Sequence, residues 1–252
     1  MTTSAGIASP VRNSDAFLAI FSDIEKWLRS AAGVDKGVPF FQVIDRAAIR
    51  EAIVRRYRDD LKEFADLRNA IVHERGDGRV IAEPNERALT DIELIRRALF
   101  NPPKVVPLFS GEVKCRGDAD PVGHAVVDMR AGAFSQMPIL QDGAVVAVLT
   151  SETVVRWLAS EVGNDLISLM ETPIRDLLSH VEDEEHYRFL PRTASLHEAV
   201  AQFESFASRG KTLDAILITE AGLPNQKLLG ILTIYDLPAI LASLGLHRWT
   251  AA

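Results

Sequence analysis

The chain has 252 residues, of which 47% are hydrophobic and 25% charged, an ordinary composition for a soluble globular protein. This length suffices for one large domain or two ordinary ones. The first residues form no apolar signal segment, and no apolar run approaches the roughly 20 residues of a membrane span. A single cysteine, Cys115, excludes a disulfide framework and a thiolate metal cluster. We therefore expect a cytoplasmic protein without a membrane partner.

Charge is distributed unevenly along the chain. Residues 1–103 contain 16 basic and 16 acidic residues, whereas residues 104–252 contain 12 basic and 19 acidic residues and so carry the whole net charge of −7. Neither part has the basic excess of a protein that grips a long nucleic-acid backbone. We expect no DNA partner, and any contact with RNA has to be local.

The N-terminal part has the apolar spacing of helices. Ser14 can cap a first helix that ends near Gly33. A second, longer helix is predicted over residues 49–71, because apolar residues recur there in steps of three and four. A third helix is predicted over residues 86–100, and the prolines that follow it indicate a domain boundary. The first domain is therefore predicted over residues 1–103.

After Pro103 the pattern changes to short apolar strands that alternate with amphipathic helices, and it does so twice. Aligning Leu149-Thr150 with Leu232-Thr233 superimposes the two copies position for position, which indicates an internal duplication. The second domain is predicted over residues 104–252, with a first module at 104–162, a linker at 163–172 and a second module at 173–246.

The repeated unit resembles the CBS domain family over about residues 104–246. The phrases that carry the resemblance are FSQMPILQDGAVVAVLTSETVVRWLA in the first copy, and FLPRTASLHEAVAQF and DAILITEAGLPNQKLLGILTIYDLPAILA in the second. The resemblance implies an α+β protein in which a helical bundle precedes two β-α-β-β-α modules that form a pair. It further implies clefts for a regulatory ligand such as AMP, ADP, ATP or a related adenosyl compound, with no obligatory cofactor.

The ligand motif of that family is Gly, two apolar residues, Thr, two variable residues and Asp, and the second copy contains it whole. Gly230, Thr233 and Asp236 occupy its defined positions. Thr233 can cap a helix whose start suits a phosphate, and Asp236 can accept both hydroxyls of a ribose. Ile216, on a neighbouring strand, is expected to flank the adenine. Thr-x-x-Asp is also an ordinary helix-capping pattern, so both interpretations stay open here.

The first copy departs from the motif. Ala147 replaces the glycine, Thr150 is kept, and Thr153 stands in place of the aspartate. A threonine cannot bind a ribose diol as a carboxylate does, so we expect one good site in the second copy and a weak or empty site in the first. The acidic run at 182–185 is expected to be a solvated loop, with His186 beside it on the surface.

The predicted second helix ends in DLRNAIVHERGDG, in which Arg68 and Asn69 precede His73. This spacing resembles the Arg-x(4–6)-His motif of HEPN domains over about residues 14–100. Many such domains are dimeric, metal-independent RNA-cleaving enzymes. The resemblance implies that His73 acts as acid or base, that Arg68 stabilises the phosphate, and that Asn69 orients one of the two.

Together the two resemblances imply a homodimer in which an adenine nucleotide at the CBS pair regulates a metal-independent endoribonuclease site, with no metal bound. The alternative is a non-catalytic nucleotide sensor whose helices only dimerise or recruit a partner. Because some HEPN-like domains act only as binding modules, the sequence leaves both hypotheses open.

Overall fold

The computed structural model describes residues 12–72, 82–163, 166–181 and 186–244. The chain divides into two compact units, Met1–Pro102 and Pro103–Ala252. Within the described residues, no helix combines the length and the apolar character needed to cross a membrane.

The first unit is helical in its described part, and its helices enclose one apolar core that includes the fully buried Phe17, Ile24 and Ile44. The predicted first and third helices are confirmed. The predicted long second helix is wrong, because three helices occupy that region and the first begins well before residue 49. The helices are α1 (Asn13–Ala32), α2 (Phe40–Arg50), α3 (Ala52–Arg56), α4 (Arg58–Val72) and α5 (Glu86–Phe100).

Two backbone breaks explain why the periodic region is not one helix. Glu51 adopts an extended conformation with φ −108° and ψ 108°, and Tyr57 has φ −98° and ψ 21°. Apolar spacing of three and four continues across both residues, so periodicity alone cannot reveal the breaks. The expected cap at Ser14 is also wrong. Arg12 occupies the N-cap position of α1, while Ser14 is buried and its amide donates to Glu83.

The second unit contains two sheets with the same topology. In each, the first strand pairs with the middle strand in parallel, and the middle strand pairs with the last in antiparallel fashion. The order β-α-β-β-α thus occurs twice, as the sequence predicts. After the short helical turn α6 (Val105–Leu108), the first module consists of β1 (Arg116–Gly117), α7 (Val122–Gly132), β2 (Gln136–Gln141), β3 (Ala144–Thr150) and α8 (Ser151–Ser160). The second consists of β4 (Tyr187–Pro191), α9 (Leu196–Ala207), β5 (Ala215–Thr219), β6 (Gly230–Leu232) and α10 (Leu237–Ser243).

Alternate residues of β5 pack into different cores, as the two-residue period of a strand requires. Ile216 and Ile218 belong to the core of their own module. Ala215 and Leu217 belong to a smaller core that also contains Val148 of the first module. The two sheets therefore share a buried apolar layer, which fixes one module against the other.

The last helix of the second module begins later than the motif predicts. Residues Ile234–Asp236 form a short 3₁₀ turn, and α10 follows from Leu237. Pro238 consequently lies in the first turn of α10, where the missing amide hydrogen costs no helical hydrogen bond.

Candidate functional site

In the second copy, the motif carboxylate is bound within its own turn. Asp236 Oδ2 accepts a hydrogen bond from the Thr233 amide at 2.7 Å and another from the Thr233 hydroxyl at 3.0 Å. This is the capping arrangement that the sequence left open beside the ligand interpretation. A ribose would have to compete with these bonds or share the carboxylate, so the ligand role of Thr233 and Asp236 stays a prediction.

The motif glycine has a packing role that requires no ligand. A Cβ added to Gly230 would lie 1.9 Å from the carbonyl oxygen of Phe109, a contact that no side chain tolerates. The segment that includes Phe109 is held at β6 by a hydrogen bond of 3.0 Å from the Gly111 amide to the Leu229 carbonyl. Gly230 is thus explained by the close approach of another backbone.

Ile216 lies in the interior of the second module. Its side chain is fully buried and packs in the same core as Leu232 and Ile240. It therefore offers no accessible surface to an adenine ring in this structure, and the sequence prediction for this residue gains no support from its position.

An open pocket of about 320 Å³ lies instead at the start of α8, in the first copy. This volume is within the range of small-molecule sites, roughly 300–1,000 Å³. Both modules contribute to its wall. The lining residues are Thr150, Glu152, Thr153 and Arg156 from the first module, Val181 from the connection, and His186, Gly210, Lys211, Thr212 and Asp214 from the second module.

Thr150 and Thr153 form the floor of this pocket at the first turn of α8. The Thr150 hydroxyl oxygen accepts a hydrogen bond from the Thr153 amide, and the two hydroxyls lie 3.0 Å apart. Thr150 is thus the N-cap of a ten-residue helix whose positive end faces the pocket. Thr153, where the family motif has aspartate, extends this cap instead of offering a carboxylate.

The pocket wall from the second module contains a buried histidine paired with a partly exposed aspartate. His186 Nδ1 lies 2.8 Å from Asp214 Oδ2, and the Asp214 amide donates to the His186 carbonyl at 2.7 Å. His186 is only 5% exposed, so the expectation that it lies on the surface is wrong. The carboxylate of Asp214 holds the imidazole ring of His186 in place. The sequence around His186 does not indicate this contact, because Asp214 lies 28 residues further along the chain. The acidic run at 182–185 lies outside the described residues.

Charged groups of both signs surround the pocket. Arg156 pairs with Glu152 across one helical turn at 2.8 Å, and the second module adds Lys211 and Asp214 to the lining. Cationic side chains beside a helix start suit phosphate oxygens, and a carboxylate suits sugar hydroxyls. The arrangement has the chemistry for a phosphorylated sugar compound, although Thr153 itself lacks a carboxylate.

Sequence reasoning missed Lys211, His186 and Asp214 as pocket residues because each lies more than thirty residues along the chain from Thr150 and Thr153, beside which they line the pocket. Asp214 immediately precedes β5, and that position alone indicates no ligand role. The duplicated fold brings these residues to α8. The pocket therefore cannot be predicted from the residues of one copy alone.

In the helical unit, Arg68 and Asn69 both lie on α4 and are half-buried. Arg68 Nη1 donates to Asn69 Oδ1 at 3.2 Å, which joins these two predicted site residues. His73 lies outside the described residues, so the structure does not test its distance from either.

No family model matches the sequence, and no curated protein matches it significantly. Similar solved structures include CBS-domain proteins. A candidate acetoin utilization protein (AcuB) from Vibrio cholerae is 15% identical, with a TM-score of 0.43 over 56% of this chain and 91% of that one. A conserved CBS-domain protein from Thermoplasma acidophilum is 17% identical, with a TM-score of 0.41 over 56% and 72%. A candidate archaeal homologue of g-AMPK from Methanocaldococcus jannaschii is 12% identical, with a TM-score of 0.42 over 67% and 56%.

Proposed function

We propose that the C-terminal unit is a regulatory module that binds an adenine nucleotide in the pocket at the start of α8. The observation that carries this proposal is the composition of the pocket, whose walls come from both modules and combine cations, hydroxyls and carboxylates. The internal duplication and the resemblance to CBS domains support the ligand class.

The groups of the pocket have distinct roles in this proposal. Lys211 and the start of α8 bind the phosphate, with Arg156 beside them. Asp214 accepts the ribose hydroxyls while its bond to His186 orients the carboxylate. The diol is then recognised by a carboxylate from the second module, which replaces the aspartate that the first copy lacks.

A ligand in this position touches both modules, which gives binding a route to regulation. It favours whichever arrangement of the modules lets both walls reach it, and it shifts the equilibrium by the difference in its affinity for the two arrangements. The helical unit is the effector in this proposal, either as an enzyme or as a dimerisation or recruitment module.

Calorimetric titration of the full chain with AMP, ADP and ATP tests the proposal. Lys211→Ala is expected to weaken binding by about tenfold, because a hydrogen bond to a charged group contributes about 1.5–3 kcal/mol. Lys227→Ala, at a lysine of the same unit that lies outside the pocket, is the matched control and is expected to leave affinity unchanged. Absence of binding by all three nucleotides, or equal effects of the two variants, would contradict the proposal.

A second proposal, metal-independent RNA cleavage by a homodimer, is favoured by the contact between Arg68 and Asn69. Two Arg–Asn–His sets would converge on one phosphate at a two-fold interface, with His73 as acid or base. Labelled RNA incubated with the protein in EDTA should be cleaved, and His73→Ala should abolish the cleavage while His124→Ala, in the other unit, retains it. An inert protein that still binds nucleotide would favour the non-catalytic sensor.

A further inference from the structure

The helical unit contains a pocket of about 410 Å³ that four of its segments line together. These segments are α1, the connection into α2, the first turn of α2, and α4. The pocket is distinct from the one in the C-terminal unit, and nothing in the proposed nucleotide regulation requires it. Its lining includes Glu25, Arg29, Lys36, Phe41, Arg68 and Asn69.

Arg29 braces the wall formed by the connection into α2. Its guanidinium donates to the carbonyls of Asp35 and Val38, both at 3.1 Å, and binds Glu25 with contacts of 2.9 and 2.7 Å. These bonds hold the connection in place before any ligand arrives. The ion pair with Glu25 also neutralises the charge of Arg29.

Two other cations of the pocket have no such compensation. Within the described ranges, neither Lys36 nor Arg68 has a carboxylate at ion-pair distance, and the Arg68 guanidinium is bonded to the neutral Asn69 side chain. Since Glu25 is already paired, the pocket has an excess of positive charge in a unit with equal numbers of basic and acidic residues. This local excess favours an anionic group between Lys36 and Arg68.

Aromatic rings lie beside these cations. Phe40 packs on Phe21 with ring centroids 5.1 Å apart, so its position is fixed by the core. The neighbouring Phe41 lines the same pocket and is 38% exposed, which leaves ring surface for a planar partner. Stacking of a nucleobase on an aromatic side chain contributes about 1–3 kcal/mol.

We propose that this pocket binds a nucleotide phosphate ester, with the phosphate between Lys36 and Arg68 and the base against Phe41. Two sources share this chemistry, a free mononucleotide and one nucleotide of an RNA strand. The mononucleotide source does not require RNA cleavage, although Arg68 belongs to both proposed sites, whereas the strand source deepens the proposed RNA cleavage and rests on it.

Photocrosslinking with peptide mapping locates the ligand as well as detecting it. Full-length protein is irradiated separately with 4-thiouridine 5′-monophosphate and with a short RNA that contains 4-thiouridine. We expect crosslinks on the peptide that contains Phe40 and Phe41. Lys36→Ala and Phe41→Ala should each reduce this labelling by about tenfold. Lys26→Ala, an exposed lysine of α1 outside the pocket, is the matched control and should label as the native protein does.

The two probes separate the sources. Labelling by both probes shows that a free mononucleotide is sufficient for binding. Labelling by the RNA probe alone shows that the pocket binds a nucleotide within an RNA strand. Labelling by neither probe, labelling that Lys36→Ala leaves intact, or labelling confined to the C-terminal unit would overturn the inference. Binding of AMP, ADP or ATP at the start of α8 is measured independently, so failure of one site is distinguishable from failure of the other.

Discussion

Gly230 belongs to a ligand motif and also makes a close packing contact. The structure shows the packing contact directly. The carbonyl of Phe109 occupies the space where a Cβ would lie. A substitution here therefore acts on the fold before it acts on any ligand. Gly111, in the segment that lies against β6, has no atom within 4 Å of its own Cβ position and provides a comparison.

We predict that Gly230→Ala lowers the free energy of unfolding by about 1–3 kcal/mol, because a methyl group has to displace a backbone segment. Denaturant titration of the full chain measures the loss. Gly111→Ala should change stability by much less. Equal stability of Gly230→Ala and the native protein would show that the segment at Phe109 moves freely and would refute the packing explanation.

Single residues differ in how far the sequence could predict them. The spacing of Thr233 and Asp236 identifies them as motif residues. Their hydrogen bonds to each other depend on the geometry of the turn, which the sequence does not give. The sequence predicts that Ile216 flanks an adenine because it lies on an apolar strand, and in the structure its side chain packs in the core of its own module. Asp214 carried no motif at all, because its role depends on a contact between modules.

At the scale of single elements, α5 carries a network of charges on its last two turns. Glu93 accepts hydrogen bonds from Arg96 at 2.7 and 2.8 Å and from Arg97 at 2.9 Å. The guanidinium of Arg96 makes the largest contribution to lowering the pKa of Glu93 from 4.5 to about 2. The folded state therefore stabilises the ionised Glu93 carboxylate more than the unfolded chain does.

This shift predicts a pH dependence of stability. Because the pKa of Glu93 is lower in the folded state, its stabilising effect is complete above pH 4.5 and is lost as the pH falls towards 2. Glu93→Gln should cost about 1 kcal/mol at pH 7, since the pair is partly exposed to solvent. The difference from the native protein should shrink between pH 4.5 and 2. A difference that stays constant across that interval would contradict the assigned cause, and Glu63→Gln on the exposed side of α4 is the control.

Elements with clear ends could be predicted well. α5 begins after Asn85, whose side chain caps it by accepting from the Ala88 amide, and its predicted bounds are confirmed. The sequence predicts one helix over residues 49–71, which covers the end of α2, all of α3 and most of α4, because no proline or glycine marks the breaks at Glu51 and Tyr57. Apolar spacing of three and four residues continues across both breaks, so the spacing alone cannot locate them.

At the scale of the whole molecule, the duplication was predictable and the pocket was not. Two copies with matching strands and helices reveal their common order from the sequence. The pocket at α8 needs residues from both modules, and the apolar layer shared by Val148 and Leu217 sets how the modules face each other. Comparison of the two copies predicts the better site at the second motif, whereas the pocket lined by both modules lies at the first.

Calorimetric titration of AMP into Asp214→Asn and Asp236→Asn proteins tests the central claim most directly, because the two carboxylates belong to the competing locations. Both substitutions keep the size of the side chain, and circular dichroism of each variant verifies the fold. If the nucleotide binds at the start of α8, Asp214→Asn weakens AMP binding by about tenfold, the effect expected for a charged hydrogen bond, while Asp236→Asn leaves it unchanged. Unchanged affinity in Asp214→Asn, with the loss in Asp236→Asn, would contradict the account.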